Sequence, residues 1–252
     1  MAVRDVVQAA AGVGGDKLYV EDVFSTYLFR GNGSTQTITN GIDLAGEGGL
    51  VWLKNRDSTS SHRLVDTVRG ALSTLFSEST SAALSRTSPN DDVDSFTSTG
   101  FVAGNYCIAA DYVSWSWRKS PKFFDVLTWT GNNTNNRQIL HSLGSRPGMV
   151  VVKNISEAAD WYVWHRSLAP SGGSAANLRL NTNDAVQYSD YYVEDSTSSA
   201  YIQLGLAGGL NENNKQYVAY LFAHDAGGFG DDGLQNVISC GSYTGNGAVG
   251  NE

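Results

Sequence analysis

Gly49-Leu50-Val51-Trp52-Leu53-Lys54-Asn55 recurs 99 positions later as Gly148-Met149-Val150-Val151-Val152-Lys153-Asn154. In each copy an apolar run of high β-propensity ends in the same Lys-Asn pair, which predicts a buried strand running into a polar turn. The turn Gly31-Asn32-Gly33-Ser34 likewise returns within Trp129-Thr130-Gly131-Asn132-Asn133 and again within Tyr243-Thr244-Gly245-Asn246-Gly247. Further along the repeat reads at an offset of 105. There Phe96 meets Tyr201, Gly100 meets Gly205, Phe101 meets Leu206, Gly104 meets Gly209 and Tyr112-Val113 meets Tyr217-Val218. An insertion around Ser171-Gly172-Gly173-Ser174 accounts for the shift, and recurrence at this period marks a duplicated structural unit.

Working outward from the repeat, Tyr112-Val113-Ser114-Trp115-Ser116-Trp117-Arg118 alternates large with small residues, the period-2 signature of a strand with two unlike faces. From Phe24 onward, short runs of Val, Ile, Tyr, Trp, Phe and Thr are separated by Gly, Asn, Ser and Asp clusters. The reading is all-β: two tandem β-sandwich modules, jelly-roll or concanavalin-like, after a short N-terminal helical anchor. Residues 1–23 form the anchoring segment, 24–125 the first sandwich and 126–230 the second. Residues 231–252 are a linker and the start of a third module. Sixteen residues from Val237 cannot build a core, so the natural chain is expected to continue past Glu252. Asn32-Gly33 predicts a tight hairpin, because both residues tolerate positive φ. Leu64, Val68, Leu72, Leu75 and Phe76 fall at helical spacing and leave a short helix there as an alternative.

The chain has 252 residues, 41% of them hydrophobic and 28 of them glycine, with a net charge of −8: apolar enough to fold, too acidic for a dedicated binder of nucleic acid. No apolar run is long enough for a membrane span, and no secretory signal is legible, so no membrane insertion is expected. Cys107 and Cys240 read as free thiols. Near the N-terminus Val3, Val6, Val7 and Ala10 share one helical face, and Gly12, Gly14 and Gly15 end it. So short a helix needs a docking surface to gain order.

Catalytic chemistry is hardly legible. His62, His141, His165 and His224 lack metal-ligand spacing, and no Gly-x-Ser-x-Gly elbow occurs. Asp91-Asp92 and Asp231-Asp232 read as solvated turns rather than as the paired carboxylates of a glycosidase. Gly227-Gly228-Phe229-Gly230-Asp231-Asp232 matches a single calcium-repeat unit without neighbours and reads as a flexible linker. Asn-x-Ser/Thr triplets at Asn32, Asn132 and Asn154 read as turn residues. No enzyme, cofactor or metal is therefore expected. Aromatics in Trp161-Tyr162-Val163-Trp164-His165-Arg166 and Tyr188-Ser189-Asp190-Tyr191-Tyr192 could stack on pyranose rings, which makes Trp161, Tyr162, Trp164, Tyr191 and Tyr192 the candidate glycan platform. Core packing is the stronger reading for these residues, and more strongly still for Trp52, Trp115, Trp117 and Trp129.

Phe24-Ser25-Thr26-Tyr27-Leu28, Gly31 through Ile38, Gly41-Ile42-Asp43-Leu44, Gly49 through Lys54, Val65-Asp66-Thr67-Val68-Arg69-Gly70 and Tyr112 through Lys119 together resemble the repeated modules of tail-fibre-like and other structural proteins of marine bacteriophages and cyanophages. His141 through Met149 and Tyr217 through Asp225 are similar to the second module of the same proteins. The resemblance implies a virion fibre or appendage subunit assembled in the bacterial host cytoplasm. Val3, Arg4, Val6, Val7 and Ala10 would dock it on other virion proteins, tail or adaptor, alternatively capsid. It further implies a homo-oligomer, with a trimer as the expectation, and distal modules that meet a host-surface glycan. It carries no catalytic residues.

Overall fold

Strand outweighs helix by 44% to 3%, in keeping with the period-2 patterning, and among the described residues the strands pair antiparallel. The computed structural model describes residues 17–88, 91–168, 175–189, 192–205 and 208–247. A one-turn helix, α1 (Val20–Val23), leads into β1 (Phe24–Arg30), β2 (Gln36–Thr39), β3 (Gly49–Asn55), β4 (Arg63–Asp66), β5 (Ser73–Phe76), β6 (Leu84–Ser85), β7 (Val93–Thr97), β8 (Gly100–Ala103) and β9 (Asp111–Arg118). The second set comprises β10 (Phe124–Thr130), β11 (Arg137–Leu140), β12 (Pro147–Asn154), β13 (Trp161–His165), β14 (Ala175–Arg179), β15 (Gln187–Ser189), β16 (Tyr192–Thr197), β17 (Tyr201–Leu204) and β18 (Gln216–Ala223).

The first set forms sheets ordered β1-β9-β3-β4-β5-β6 and β2-β8-β7; the second forms β10-β18-β12-β13-β14-β15 and β11-β17-β16. One topology is built twice. Phe24 opposes Trp117 and Phe124 opposes Phe222, so the second copy begins with β10 at Phe124, two residues before the expected boundary. The register also corrects the alignment of the repeats. Thr39 opposes Gly100 and Leu140 opposes Tyr201, which equates Gly100 with Tyr201 at an offset of 101 rather than 105. The last four residues of the shift enter between β17 and β18, where a turn of 3-10 helix (Gly208–Leu210) stands. Glycine spacing misled the alignment because strand pairing, not turn residues, sets register.

Each three-stranded sheet covers one face of its six-stranded sheet. In the first sandwich Ile38, Val93 and Phe101 pack with Val51, Leu53, Val65 and Tyr112; in the second Ile139, Ile202 and Leu204 pack with Val150, Val152, Trp164 and Leu221. The outer faces of the two large sheets then bury one another. Leu50, Leu64 and Leu75 from the first copy meet Val126, Val151, Trp161, Val163 and Tyr220 from the second. The result is four layers with the seam in the middle. Burial on both faces explains why Val150-Val151-Val152 and Tyr217 through Ala223 run apolar without alternation.

The Gly-Asn turns differ from expectation. β1 and β2 lie in different sheets, so the turn is a crossover and not a hairpin. A side chain at Gly31 would collide with the Cys107 and Ile108 carbonyls, and one at Gly131 with the Glu212 carbonyl. Asn32 Oδ1 then accepts the Ser34 N–H and Asn132 Oδ1 the Thr134 N–H, closing the same Asx turn twice. The Lys-Asn repeat has an equally local cause. Lys54 Nζ donates to the carbonyls of Asn55, Ser58 and Ser60, while Asn55 Oδ1 accepts the Asp57 N–H. Between His62 and Phe76 the chain forms β4 and β5 rather than a helix, with Leu64 turned to the seam and Val65 to the sandwich interior.

Val3, Arg4, Val6, Val7 and Ala10 lie outside the described residues. Leu18 and Val23 pack into the seam, and the Leu18 carbonyl accepts the Gly230 N–H at 2.8 Å. The glycine-rich segment expected as a flexible linker is instead part of this packing: Phe229 is buried and bridges to Gln235. Among the described residues from 231 to 247 no strand forms; Val237 and Ile238, expected to open a third module, lie on the seam because it offers them apolar surface.

Because Trp161 is fully buried in the seam, Trp161→Ala is expected to lower stability by roughly 3–5 kcal/mol in urea denaturation. The shared core also predicts one cooperative transition for both sandwiches. Separate transitions by tryptophan fluorescence and far-UV circular dichroism would show the two units to be independent.

Candidate functional site

Strand alternation in β13 sends Trp161 and Val163 to the seam, Tyr162 and Trp164 to the second sandwich interior. Trp161 donates its Nε1–H to the Phe76 carbonyl of the first copy at 2.9 Å. Arg179 lies 4.0 Å above the Tyr162 ring centre. Trp161, Tyr162 and Trp164 are all buried, so these three offer no face to a sugar ring and the platform expected of them is overturned. Its cause is the second covering layer, which buries both faces of β13. Tyr191 lies outside the described residues, and Tyr192 stands in β16 opposite Leu204. Trp129 is core as expected, its Nε1–H donated to the Leu210 carbonyl.

Polar chemistry gathers away from the aromatic strand, in part where a solvated turn was expected. Asp91 and Asp92, expected on a solvated turn, are fully buried. Asp92 accepts Thr74 Oγ1 at 2.8 Å and pairs with Arg63 Nε at 3.0 Å and Arg86 at 3.5 Å. Its neighbour Asp91 packs against Gly104, where any side chain would collide with it. Burial, with the Asp94 carboxylate adding to it, pushes the Asp91 carboxyl up to about 6. Asp231, by contrast, stays at the surface and receives the Tyr19 hydroxyl at 2.7 Å and Lys17.

The seam holds the best-connected group. Asp66 Oδ1 accepts the backbone N–H groups of Val68 and Arg69, which closes the turn after β4. Its Oδ2 accepts Arg69 Nε at 2.6 Å and the Tyr220 hydroxyl of the second copy at 2.8 Å. Arg69 donates further to the carbonyls of Leu64 and Ser73 and to the Tyr220 oxygen. Burial raises the Tyr220 phenol well above its ordinary range, against the pull of Arg69. Burial works to lower the Arg69 guanidinium, yet Tyr220 and Asp66 hold it above its usual value. Lys153, also fully buried, donates to the Asn154 carbonyl and, across the seam, to the Thr80 carbonyl at 3.1 Å. Burial pushes its ammonium down to about 8.

Burial also lowers His62, His141 and His165, each with its ring in a local hydrogen bond: His62 Nδ1 accepts Trp52 Nε1–H, and His141 Nδ1 and His165 Nδ1 accept backbone N–H groups. Among the described residues no group of three or more His, Cys, Asp or Glu side chains could hold a metal ion, and no helix is long and apolar enough to cross a membrane. Cys107 and Cys240 are free thiols, as expected. A cleft of about 650 Å³ opens along the seam beside Val68, Arg69, Trp129 and Gln216; another, of about 570 Å³, lies at the end of the second sandwich.

These features define an all-β protein in which two duplicated sandwiches are locked face to face by apolar packing and buried polar bonds. The chain belongs to the family described as Domain of unknown function (DUF7483), which matches residues 20–251 and so takes in both sandwiches. No curated protein and no solved structure matches the chain.

Removing one partner of the seam group leaves the others buried and unpaired. Arg69→Ala is expected to cost roughly 3–5 kcal/mol and Tyr220→Phe about 1–3 kcal/mol, read from chemical denaturation. Asp91 has its folded value raised to about 6 from an ordinary 3.8, so its contribution to stability is fully present below 3.8 and is lost as pH rises through 6. Stability curves from pH 4 to 7 are expected to lose that component in Asp91→Asn; superimposable pH profiles would contradict this assignment.

Proposed function

We propose that this chain is a non-enzymatic virion structural protein, a tail fibre or fibre-adaptor subunit attached to the particle by its N-terminal segment. The supporting observation is the fused seam: two sandwiches with a common core make one stiff block, which suits a part whose work is to hold geometry. The phage-protein resemblance of the two repeats points the same way. Association into a homo-oligomer, a trimer by that resemblance, is supported by the edge strand β1. Among the described residues it pairs with β9 alone, and it leaves Tyr27 and Leu28 37% and 59% exposed. Attachment is assigned to Val3, Arg4, Val6, Val7 and Ala10. A head fibre or capsid decoration subunit is the same reading with a different docking partner.

Cryo-electron microscopy of the purified virus that encodes the chain is expected to place it on an appendage; density on the capsid lattice would make it the head-bound form. Val3→Asp, Val6→Asp and Val7→Asp together are expected to abolish incorporation. A chain abundant in infected cells but absent from purified particles would overturn the proposal.

A further inference from the structure

Between β6 and β7 the chain of the first sandwich crosses from the edge of the six-stranded sheet to the edge of the three-stranded one. Backbone bonds fix the end of that crossing: the Asp91 carbonyl accepts the Tyr106 N–H at 3.1 Å, and the Asp92 carbonyl accepts the Gly104 N–H at 3.2 Å and the Cys107 thiol. Three carboxylates, Asp91, Asp92 and Asp94, gather there against the guanidinium groups of Arg63 and Arg86, and Asp92 pairs with both of these and accepts the Thr74 hydroxyl besides. Asp91 and Asp94 form no ion pair with a described residue. Asp91 is wholly buried, yet neither of its carboxylate oxygens, nor Asp94 Oδ1, receives an N–H or hydroxyl donor from the described residues. The two carboxyl groups lie instead within hydrogen-bonding reach of one another. A Cβ at Gly104 would stand 1.6 Å from Asp91 Oδ1, so glycine there is what admits the carboxylate.

An unpaired carboxylate in the interior is costly, and two in contact are more so, unless a proton or a cation lies between them. Asp91 gives up its proton at about 6, which leaves the cation as the neutralising partner at neutral pH. The donors on offer are oxygens. Cys107 Sγ is spent on the Asp92 carbonyl at 3.6 Å, and burial pushes that thiol up to about 12, so it supplies no thiolate. Oxygen-only coordination selects a hard ion. Calcium accepts irregular shells of roughly six to eight oxygens, backbone carbonyls and water included, so two carboxylates suffice as its charged ligands; magnesium demands a near-octahedral shell and sheds water reluctantly. We propose that Asp91 and Asp94 bind a calcium ion, which clamps the crossing from β6 to β7 onto the rim of the first sandwich. The inference stands on these residues alone and is independent of the virion reading.

Thermal unfolding and isothermal titration calorimetry of the full chain at neutral pH, after treatment with EGTA, test it with calcium chloride and magnesium chloride as probes. Millimolar calcium is expected to raise the unfolding midpoint by about 4 °C or more, and magnesium by clearly less. Asp94→Asn, at a half-buried position, and Asp91→Asn each put an amide donor beside the remaining carboxylate. Both variants are expected to fold without calcium and to bind it about tenfold or more weakly. If Asp91→Asn fails to fold, Asp94→Asn alone decides. No midpoint shift with calcium, a shift matched by magnesium, or unchanged calcium affinity in Asp94→Asn would each overturn the proposal.

Discussion

The molecule depends on the mutual burial of two sheet faces. A six-stranded sheet covered on one side by three strands leaves its other face apolar, and here Leu50, Leu64 and Leu75 cannot remain in water without a large free-energy cost. The second copy supplies a face of the same kind. Non-directional apolar packing would tolerate several relative placements, whereas the bond from Trp161 to the Phe76 carbonyl and the Asp66, Arg69 and Tyr220 group tolerate very few. Area brings the sheets together; buried polar bonds select one alignment.

Duplication has left one topology with divided duties. Lys54 folds back on its own loop, while Lys153 at the matching position also reaches across the seam to Thr80. Asp66 organises the seam, and its counterpart by strand register is His165, whose Nδ1 only caps the following turn. Where the first copy carries Glu47 and Thr67, the second carries Arg146 and Arg166 at an offset of 99. Backbone hydrogen bonding is common to both copies, so the fold survives while side chains are released for other uses. A family match over residues 20–251 covers both halves, and a seam that neither half can leave exposed gives the physical reason.

Much of the architecture was legible in the residues. Period-2 alternation, the recurring Gly-Asn turn and the repeated Lys-Asn pair carried the all-β class and the two copies, because each is a local consequence of backbone geometry. For the aromatics of β13 core was the stronger reading and a platform the alternative, since a strand buried on both faces and one stacked against a ligand show the same residue types; burial decides for core. Asp91 and Asp92 were misread for a related reason: their partners Arg63, Thr74 and Arg86 are distant in sequence, and nothing local distinguishes a paired carboxylate from a solvated one.

By itself, then, the sequence determined strand content, the duplication and the local turn chemistry, all of which act within a few residues. Only the tertiary structure decided that the sandwiches pack as one block, that Tyr220 completes the Asp66 and Arg69 pair, and that Arg146 and Arg166 share a cavity with His224 and Asp225. Those outcomes rest on which faces meet after folding, and contacts between segments 20 to 154 residues apart leave no periodic trace along the chain.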